Sequence, residues 1–235
     1  MVLASTLTVI SGFGFVLFCA PLLSLIFDPR DVVVVSLALG TLLLGLVFLS
    51  SDIVKAVELR LVFGLVASSI LGMPIGILVL PLIDQDRTLF RVALGVLALA
   101  FVISRVMRWH LHFPETRLGT ALAGLLGGVF STSTGFSALP VIWFVGGQSL
   151  SHAKHRATLA GYVLMNGVLS MVAFQIGGDL HAFDAATLLS LIPAMLIGLV
   201  VGIGLVRRLS EKQLRRTSLA YLAVVGILAI VTSGV

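Results

Sequence analysis

The feature that most constrains this chain is a series of six apolar stretches, each close to the 20 or so helical residues that cross a bilayer core. Only 11% of the 235 residues are charged, whereas a soluble domain carries about 25%. This composition excludes a soluble enzyme and predicts an all-α integral membrane protein. The predicted membrane spans are 32–50, 59–82, 89–104, 156–175, 184–205 and 214–234.

Two further apolar stretches, 3–27 and 118–147, do not fit a single span because each is interrupted. The first contains a glycine-rich break at residues 11–14 and then a proline. The second contains the run 131–135, four hydroxyl residues followed by a glycine, and then a proline. Each stretch is therefore predicted to form two half-length helices that flank a polar break.

The order of these segments predicts an internal repeat, with a broken segment and three spans in residues 1–110 and again in 111–235. Residues 86–91 and 211–216 open the last span of each half with acid, base, Leu and Arg in matching places. The preceding spans carry Gly72-x3-Gly76 and Gly198-x3-Gly202. This spacing lets two helix backbones approach closely in lipid.

The distribution of the 15 Lys and Arg residues distinguishes two topologies. If both broken segments cross the membrane, the two sides hold 10 and 5 basic residues. If each broken segment re-enters its own side, the split is 12 to 3, which the positive-inside rule favours. The two halves are then inverted repeats, a plan that recurs in secondary transporters. This topology assigns both termini to the outside and the loops 51–58, 105–117, 147–155 and 206–213 to the cytoplasm.

Few residue types are left to carry chemistry inside the membrane. The predicted spans hold no ionisable residue near their centres, so a buried carboxylate relay is not expected. No cofactor or metal is expected, because His152 and His155 have no Cys or carboxylate beside them to complete a zinc site. The serine cluster has no intramembrane histidine to act as its base, so we do not expect an enzyme. The basic loops predict contact with the lipid bilayer rather than with nucleic acid.

The two breaks are the strongest candidates for a binding site. Broken backbone persists in a membrane only where it lines a cavity or is buried in protein. The start of a half-helix presents free N–H donors and a partial positive charge, which together suit an anion. Glycines at both breaks would let backbone approach a ligand, and Asn166 and Thr41, near the centres of corresponding spans, could complete the site from either side.

Each candidate also has a structural interpretation. Ser and Thr in membrane helices often bond back to their own backbone, Asn166 could make an interhelical hydrogen bond, Thr41 could pack, and Phe13 could pack rather than gate a pathway. The predicted anion-binding residues are Gly12, Phe13, Gly14, Thr41, Ser131, Thr132, Ser133, Thr134, Gly135 and Asn166.

The glycine-containing breaks with their later prolines at 12–21 and 127–140, the repeated halves and the basic openings at 86–91 and 211–216 together resemble the sulfite exporter family TauE/SafE. The resemblance covers nearly the whole chain. It implies a multi-pass protein of the bacterial cytoplasmic (inner) membrane. It also implies outward movement of sulfite and small organosulfonates.

We therefore expect a secondary transporter that exports a small anion, sulfite or an organosulfonate, by alternating access around the two breaks. The membrane potential alone would expel an anion, by about 2.3 kcal/mol per charge per 100 mV, and proton coupling is a second energy source. A passive anion channel is the nearest alternative and an intramembrane enzyme a distant one. The sequence does not predict an oligomeric state.

Overall fold

A computed structural model describes residues 1–11, 14–49, 52–107, 116–177, 185–206 and 210–234. All regular structure in these ranges is helical, which confirms the predicted all-α class. Two short 3-10 helices, Asp52–Ala56 and Thr232–Gly234, accompany the α-helices. The α-helices are α1 (Val2–Ser11), α2 (Phe15–Leu23), α3 (Pro29–Leu49), α4 (Leu59–Asp84), α5 (Arg87–Val106), α6 (Arg117–Thr134), α7 (Ala138–Gly146), α8 (His152–Gly177), α9 (Ala185–Val206) and α10 (Glu211–Val231).

Five of these helices, α3, α4, α5, α8 and α9, are long and apolar enough to cross a membrane, within the part of the chain that the structure describes. The last helix, α10, contributes a shorter apolar stretch, Arg216–Val231. Large apolar side chains on α4 face outward: Leu71 is 67% exposed and Leu78 is 74% exposed. An outer surface of this kind suits lipid rather than water, and the chain is a multi-pass membrane protein.

Helices α5 and α10 begin two to three residues before the predicted spans, because polar caps extend them. The Asp86 side chain accepts a hydrogen bond from the Thr88 backbone N–H (2.7 Å), and this bond lowers the pKa of the Asp86 carboxyl. Ser210 and Gln213 form a capping box at the start of α10. Such caps satisfy the orphan N–H groups of a first turn, which apolar runs alone do not reveal.

Glycines fix the closest helix contacts. A Cβ atom on Gly72 or Gly76 of α4 would overlap backbone carbonyl oxygens of α6, at Leu125 and Val129. A Cβ atom on Gly198 of α9 would overlap the Val2 carbonyl of α1. The glycine pairs of the two halves therefore serve close backbone packing, as their spacing predicts.

The same contacts give the helix directions. Gly124 lies beside Leu65 and Gly76 beside Thr132, so α4 and α6 run parallel. Gly198 lies beside Val2 and Gly202 beside Val9, so α1 and α9 also run parallel. Helices α3 and α8 run antiparallel, because Gly167 meets Thr41 while Gly161 meets Phe48.

Arg91, in the first turns of α5, joins the ends of two other helices. Its Nε donates to the Ser24 carbonyl (2.9 Å) just beyond α2, and its Nη1 donates to the Thr232 carbonyl (3.4 Å) at the end of α10. A cation is favourable at a helix C-terminus, where carbonyls lack helical partners. One arginine thus ties α2, α5 and α10 together.

Candidate functional site

The two helix breaks meet at one small cavity. Gly14, before α2, and Gly135, after α6, both line it, and Thr41 of α3 and Gly167 of α8 close its sides. The cavity has a volume of about 20 Å³, which is room for little more than one water molecule. Its walls are mostly apolar, and the side-chain hydroxyls that reach it belong to Thr41 and Ser137.

Both break glycines have backbone conformations that only glycine adopts readily. Gly14 has φ 91° and Gly135 has φ 80°, in the left-handed region. A Cβ atom on Gly135 would lie 2.6 Å from Val16 Cγ1 of α2, so the two breaks are in direct contact there. The predicted residues Gly12 and Phe13 lie outside the described residues.

At the second break, the backbone donors divide between two helices. The N–H of Gly135 donates to the Ser131 carbonyl (3.0 Å) and the N–H of Phe136 to the Phe130 carbonyl (3.1 Å). The bond from the Gly135 N–H to the carbonyl four residues back is that of an αL helix ending, and both donors are used by α6. Helix α7 begins at Ala138, and the Leu139 N–H in its first turn donates to the Phe136 carbonyl (3.2 Å). The start of α7 borders the cavity, because Ala138 and Leu139 line it.

The hydroxyl run 131–134 lies in the last turn of α6 and does not line the cavity. Ser133 and Thr134 donate to carbonyls of their own helix, at Val129 (2.7 Å) and Phe130 (2.9 Å). Thr132 donates to the Met73 carbonyl of α4 (2.8 Å) and so reinforces the contact between α4 and α6. Thr132, Ser133 and Thr134 therefore bond to backbone carbonyls, which agrees with the alternative that these hydroxyls serve helix structure rather than a ligand.

Asn166 lies behind the cavity in a fully buried hydrogen-bond network that connects α4, α6 and α8. The Ser69 hydroxyl donates to Asn166 Oδ1 (2.5 Å), and Asn166 Nδ2 donates to the Ser131 hydroxyl (2.7 Å). The Ser131 and Ser170 hydroxyls are 2.7 Å apart. Because Gly167 lines the cavity, Asn166 holds the adjacent wall in place rather than facing the cavity itself.

Thr41 is the predicted polar side chain that does line the cavity. It lies where α3 crosses α8, and a Cβ atom on Gly167 would overlap its hydroxyl oxygen. Sequence reasoning missed Gly167 and Ser137, which also line the cavity. Gly167 could have been recognised because it directly follows Asn166, but no sequence feature distinguished Ser137.

Asn166→Leu is expected to lower both flux and stability, because the Ser69 hydroxyl loses its acceptor in a dry interior. A buried polar group left unpaired costs about 1–3 kcal/mol. The thermal midpoint in detergent and the transport rate of purified protein measure the two effects. Ser190→Ala is the control, since Ser190 is exposed and its hydroxyl donates to the Thr187 carbonyl of its own helix (2.7 Å). Adding Ser69→Ala to Asn166→Leu should recover stability; no recovery would contradict this account.

The comparison with curated proteins and the comparison with solved structures each gave no significant match. A comparison with protein families matched the family described as sulfite exporter TauE/SafE over residues 1–229, nearly the full length of the chain. This match covers both broken segments and helices α1 to α9, and it ends at residue 229 within α10. The chain therefore belongs to the sulfite exporter TauE/SafE family.

Proposed function

We propose that this chain is a secondary transporter that exports a small anion, sulfite or an organosulfonate, across the bacterial cytoplasmic membrane. Family membership implies a membrane protein that exports sulfite or a related anion. The substrate, the direction and the alternating-access mechanism are our proposal. One observation carries it: both helix breaks, each with a positive-φ glycine, border the same buried cavity.

The electrostatics of this cavity favour an anion. The starts of α2 and α7 lie at the two breaks, and each helix start carries a partial positive charge. At α7 the Leu139 N–H is already bonded to the Phe136 carbonyl (3.2 Å), so we assign the donor role to the other first-turn N–H groups. Thr41 and Ser137 add hydroxyl donors. No acidic side chain is among the residues that line the cavity. We therefore assign anion binding to Gly14, Thr41, Gly135 and Ser137, with Asn166 and Ser131 supporting the wall.

We propose that residues 1–110 and 111–235 form two inverted repeats. In such a repeat α1 corresponds to α6 and α4 corresponds to α9. The contacts support this relation, because α4 packs on α6 and α9 packs on α1 in the same way. Gly72 and Gly198 occupy matching positions in these two interfaces. The crossing of α3 and α8 brings together Thr41 and Gly167, which are corresponding residues by the same spacing. A two-fold axis through that crossing would pass beside the cavity.

The proposed re-entrant course of the second broken segment is supported by the neighbours of α4. Helix α6 begins beside the start of α4, where Gly124 meets Leu65. Helix α8 begins beside the same end, where the Glu58 backbone N–H donates to the Thr158 hydroxyl (3.1 Å). Helices α6 and α8 therefore begin on the same side of the membrane, so the α6–α7 segment between them enters and leaves on that side. This arrangement supports the topology with 12 and 3 basic residues on the two sides.

The size of the cavity bears on the mechanism. A volume of about 20 Å³ holds about one water molecule and is too small for a sulfite ion with its four heavy atoms. Transport therefore requires the contact between Gly135 and Val16 to open. A closed contact of this kind suits alternating access better than a continuously open channel. The membrane potential supplies about 2.3 kcal/mol per charge per 100 mV for export, and proton coupling is the second energy source to test.

The experiment is the flux of radiolabelled sulfite into proteoliposomes that contain the purified chain, with and without an imposed potential and a pH gradient. We expect saturable flux that organosulfonates inhibit and that chloride and phosphate do not. A dependence on the pH gradient at zero potential would indicate proton coupling. Empty liposomes and the Asn166→Leu variant are the controls. If folded protein transports none of the tested anions, the proposed substrate class is wrong.

A further inference from the structure

Arg156, in the second turn of α8, extends to the end of α1 beside the first break. Its Nη2 donates to the Ile10 carbonyl (3.4 Å), one residue before the end of α1. Its Nε is buried and has no hydrogen-bond acceptor among the described residues. A buried donor without an acceptor costs free energy. The Arg156 guanidinium group therefore has a vacant Nε donor near the end of α1, which precedes the first break.

The charge of Arg156 is also not neutralised by a carboxylate in the described part of the chain. The nearby carboxylate of Glu58 is engaged by Lys154 (3.4 Å). Helix α8 becomes buried directly after this position, since Ala157, Thr158 and Leu159 are fully buried while Lys154 is exposed. Arg156 is half-buried at this boundary, where water screens its charge less than it does in bulk solution.

The corresponding arginine of the first half differs in this respect. Arg30 precedes Arg156 by the spacing that relates Gly72 to Gly198, and it lies in the first turn of α3. Its Nε donates to Asp84 Oδ2 at the end of α4 (2.6 Å). The Nε donor is thus bonded to a carboxylate in Arg30, whereas in Arg156 it has no acceptor among the described residues. An arginine lies at each end of the proposed transport path, but only Arg156 has its Nε donor available for a ligand.

We propose that Arg156 captures the anion on the side of the membrane that holds loop 147–155, and delivers it to the first break. Nη2 carries two N–H groups, of which one bonds the Ile10 carbonyl, so Nε and Nη2 together still offer two donors to the oxygens of a sulfite or sulfonate group. In the topology favoured by the charge distribution, this side is the cytoplasm. The pairing of Arg30 with Asp84 removes the equivalent capture site on the outside. The inference rests on the proposed function and predicts tighter capture at the cytoplasmic face, while the membrane potential sets the direction.

The test measures sulfite flux from each face, in everted and in right-side-out membrane vesicles, for the wild type, Arg156→Gln, Arg156→Lys and Arg30→Gln. Arg156→Gln should raise the half-saturating sulfite concentration at the cytoplasmic face at least tenfold, while the maximal rate stays within twofold. Arg156→Lys keeps the charge but loses the paired donors, so we expect a smaller rise. Arg30→Gln, the matched control, should leave the value at the cytoplasmic face within twofold of wild type.

A binding measurement separates capture from a purely structural role in capping α1. Sulfite should raise the thermal midpoint of the wild-type protein in detergent, and this rise should be absent in Arg156→Gln and reduced in Arg156→Lys. An unchanged half-saturating concentration, an equal rise at both faces, or a loss of maximal rate alone would overturn the assignment. Arg156→Lys decides the question if Arg156→Gln does not fold. Wild-type protein without any anion flux would instead overturn the proposed function itself.

Discussion

Gly135→Ala is expected to reduce anion flux by tenfold or more while the protein still reaches the membrane. Two effects add at this position. The backbone φ of 80° lies in the left-handed region, which costs a residue with a Cβ atom about 1–2 kcal/mol. The new Cβ would also lie 2.6 Å from Val16 Cγ1, so the two breaks must move apart. A change of 1.4 kcal/mol corresponds to a factor of ten. Gly135→Val should abolish flux, because a branched side chain makes both effects worse.

Three further variants separate these effects. Gly14→Ala shares the strained backbone, with φ 91°, but its nearest neighbour atom is 3.6 Å away, so we expect a smaller loss. Gly204→Ala adds a Cβ atom to α9 that would have no other atom within 4 Å, so this variant should transport normally. The double variant Gly135→Ala with Val16→Ala removes the overlapping methyl group and should recover part of the flux. Equal flux in all these variants would place the substrate path elsewhere.

Gly128→Ala is expected to cause the largest loss of stability among single-methyl changes. The added Cβ would overlap the Ser69 carbonyl of α4, and the neighbouring glycine Gly124 meets the Leu65 carbonyl in the same way. The obstacle is backbone on both sides, so no side-chain rotation relieves it. Overpacking of this kind costs about 1–3 kcal/mol, and a backbone obstacle places Gly128→Ala near the upper value. Thermal unfolding in detergent, followed by size-exclusion chromatography, measures the loss.

Gly204→Ala is again the matched control, because it adds the same methyl group to an open face of α9. Alanine also favours a helix over glycine by about 1 kcal/mol, so this control should be neutral or slightly stabilised. The displacement at Gly128 should also weaken flux, because Ser69 holds Asn166 in the network behind the cavity. A thermal midpoint for Gly128→Ala equal to that of Gly204→Ala would contradict the close packing of α4 and α6.

Much of the fold follows from the sequence, because hydrophobic length and glycine spacing act locally. The motifs at 86–91 and 211–216 open α5 and α10, and both broken stretches become pairs of helices. The prediction of half-length helices is wrong for α6, which has 18 residues because the helix continues through the hydroxyl run. The glycine pairs at 72 and 198 lie in close interfaces, as expected for small residues in lipid. Sequence also identified Gly14, Thr41 and Gly135, which line the cavity.

The roles of the hydroxyl residues could not be predicted in the same way. The run 131–134 was interpreted as part of a break, yet the helix continues through Thr134. Successive helical residues point about 100° apart, since a turn takes 3.6 residues. Four consecutive hydroxyls therefore cannot face one ligand, and they divide among Ser170, Met73 and carbonyls of α6. Which residue ends α6 depends on the left-handed backbone of Gly135 and on the hydrogen bonds made there, which hydrophobic periodicity does not reveal.

The glycine interfaces also limit how the molecule can change shape. Helix α4 of the first half is fastened to α6 of the second, and α9 of the second half to α1 of the first, in both cases through contacts with backbone atoms. These contacts interlock residues 1–110 with residues 111–235, so we do not expect the two halves to rock against each other as separate blocks. We expect the conformational change to occur within the frame of long helices, with the short helices α2 and α7, which follow the two breaks, as the moving parts.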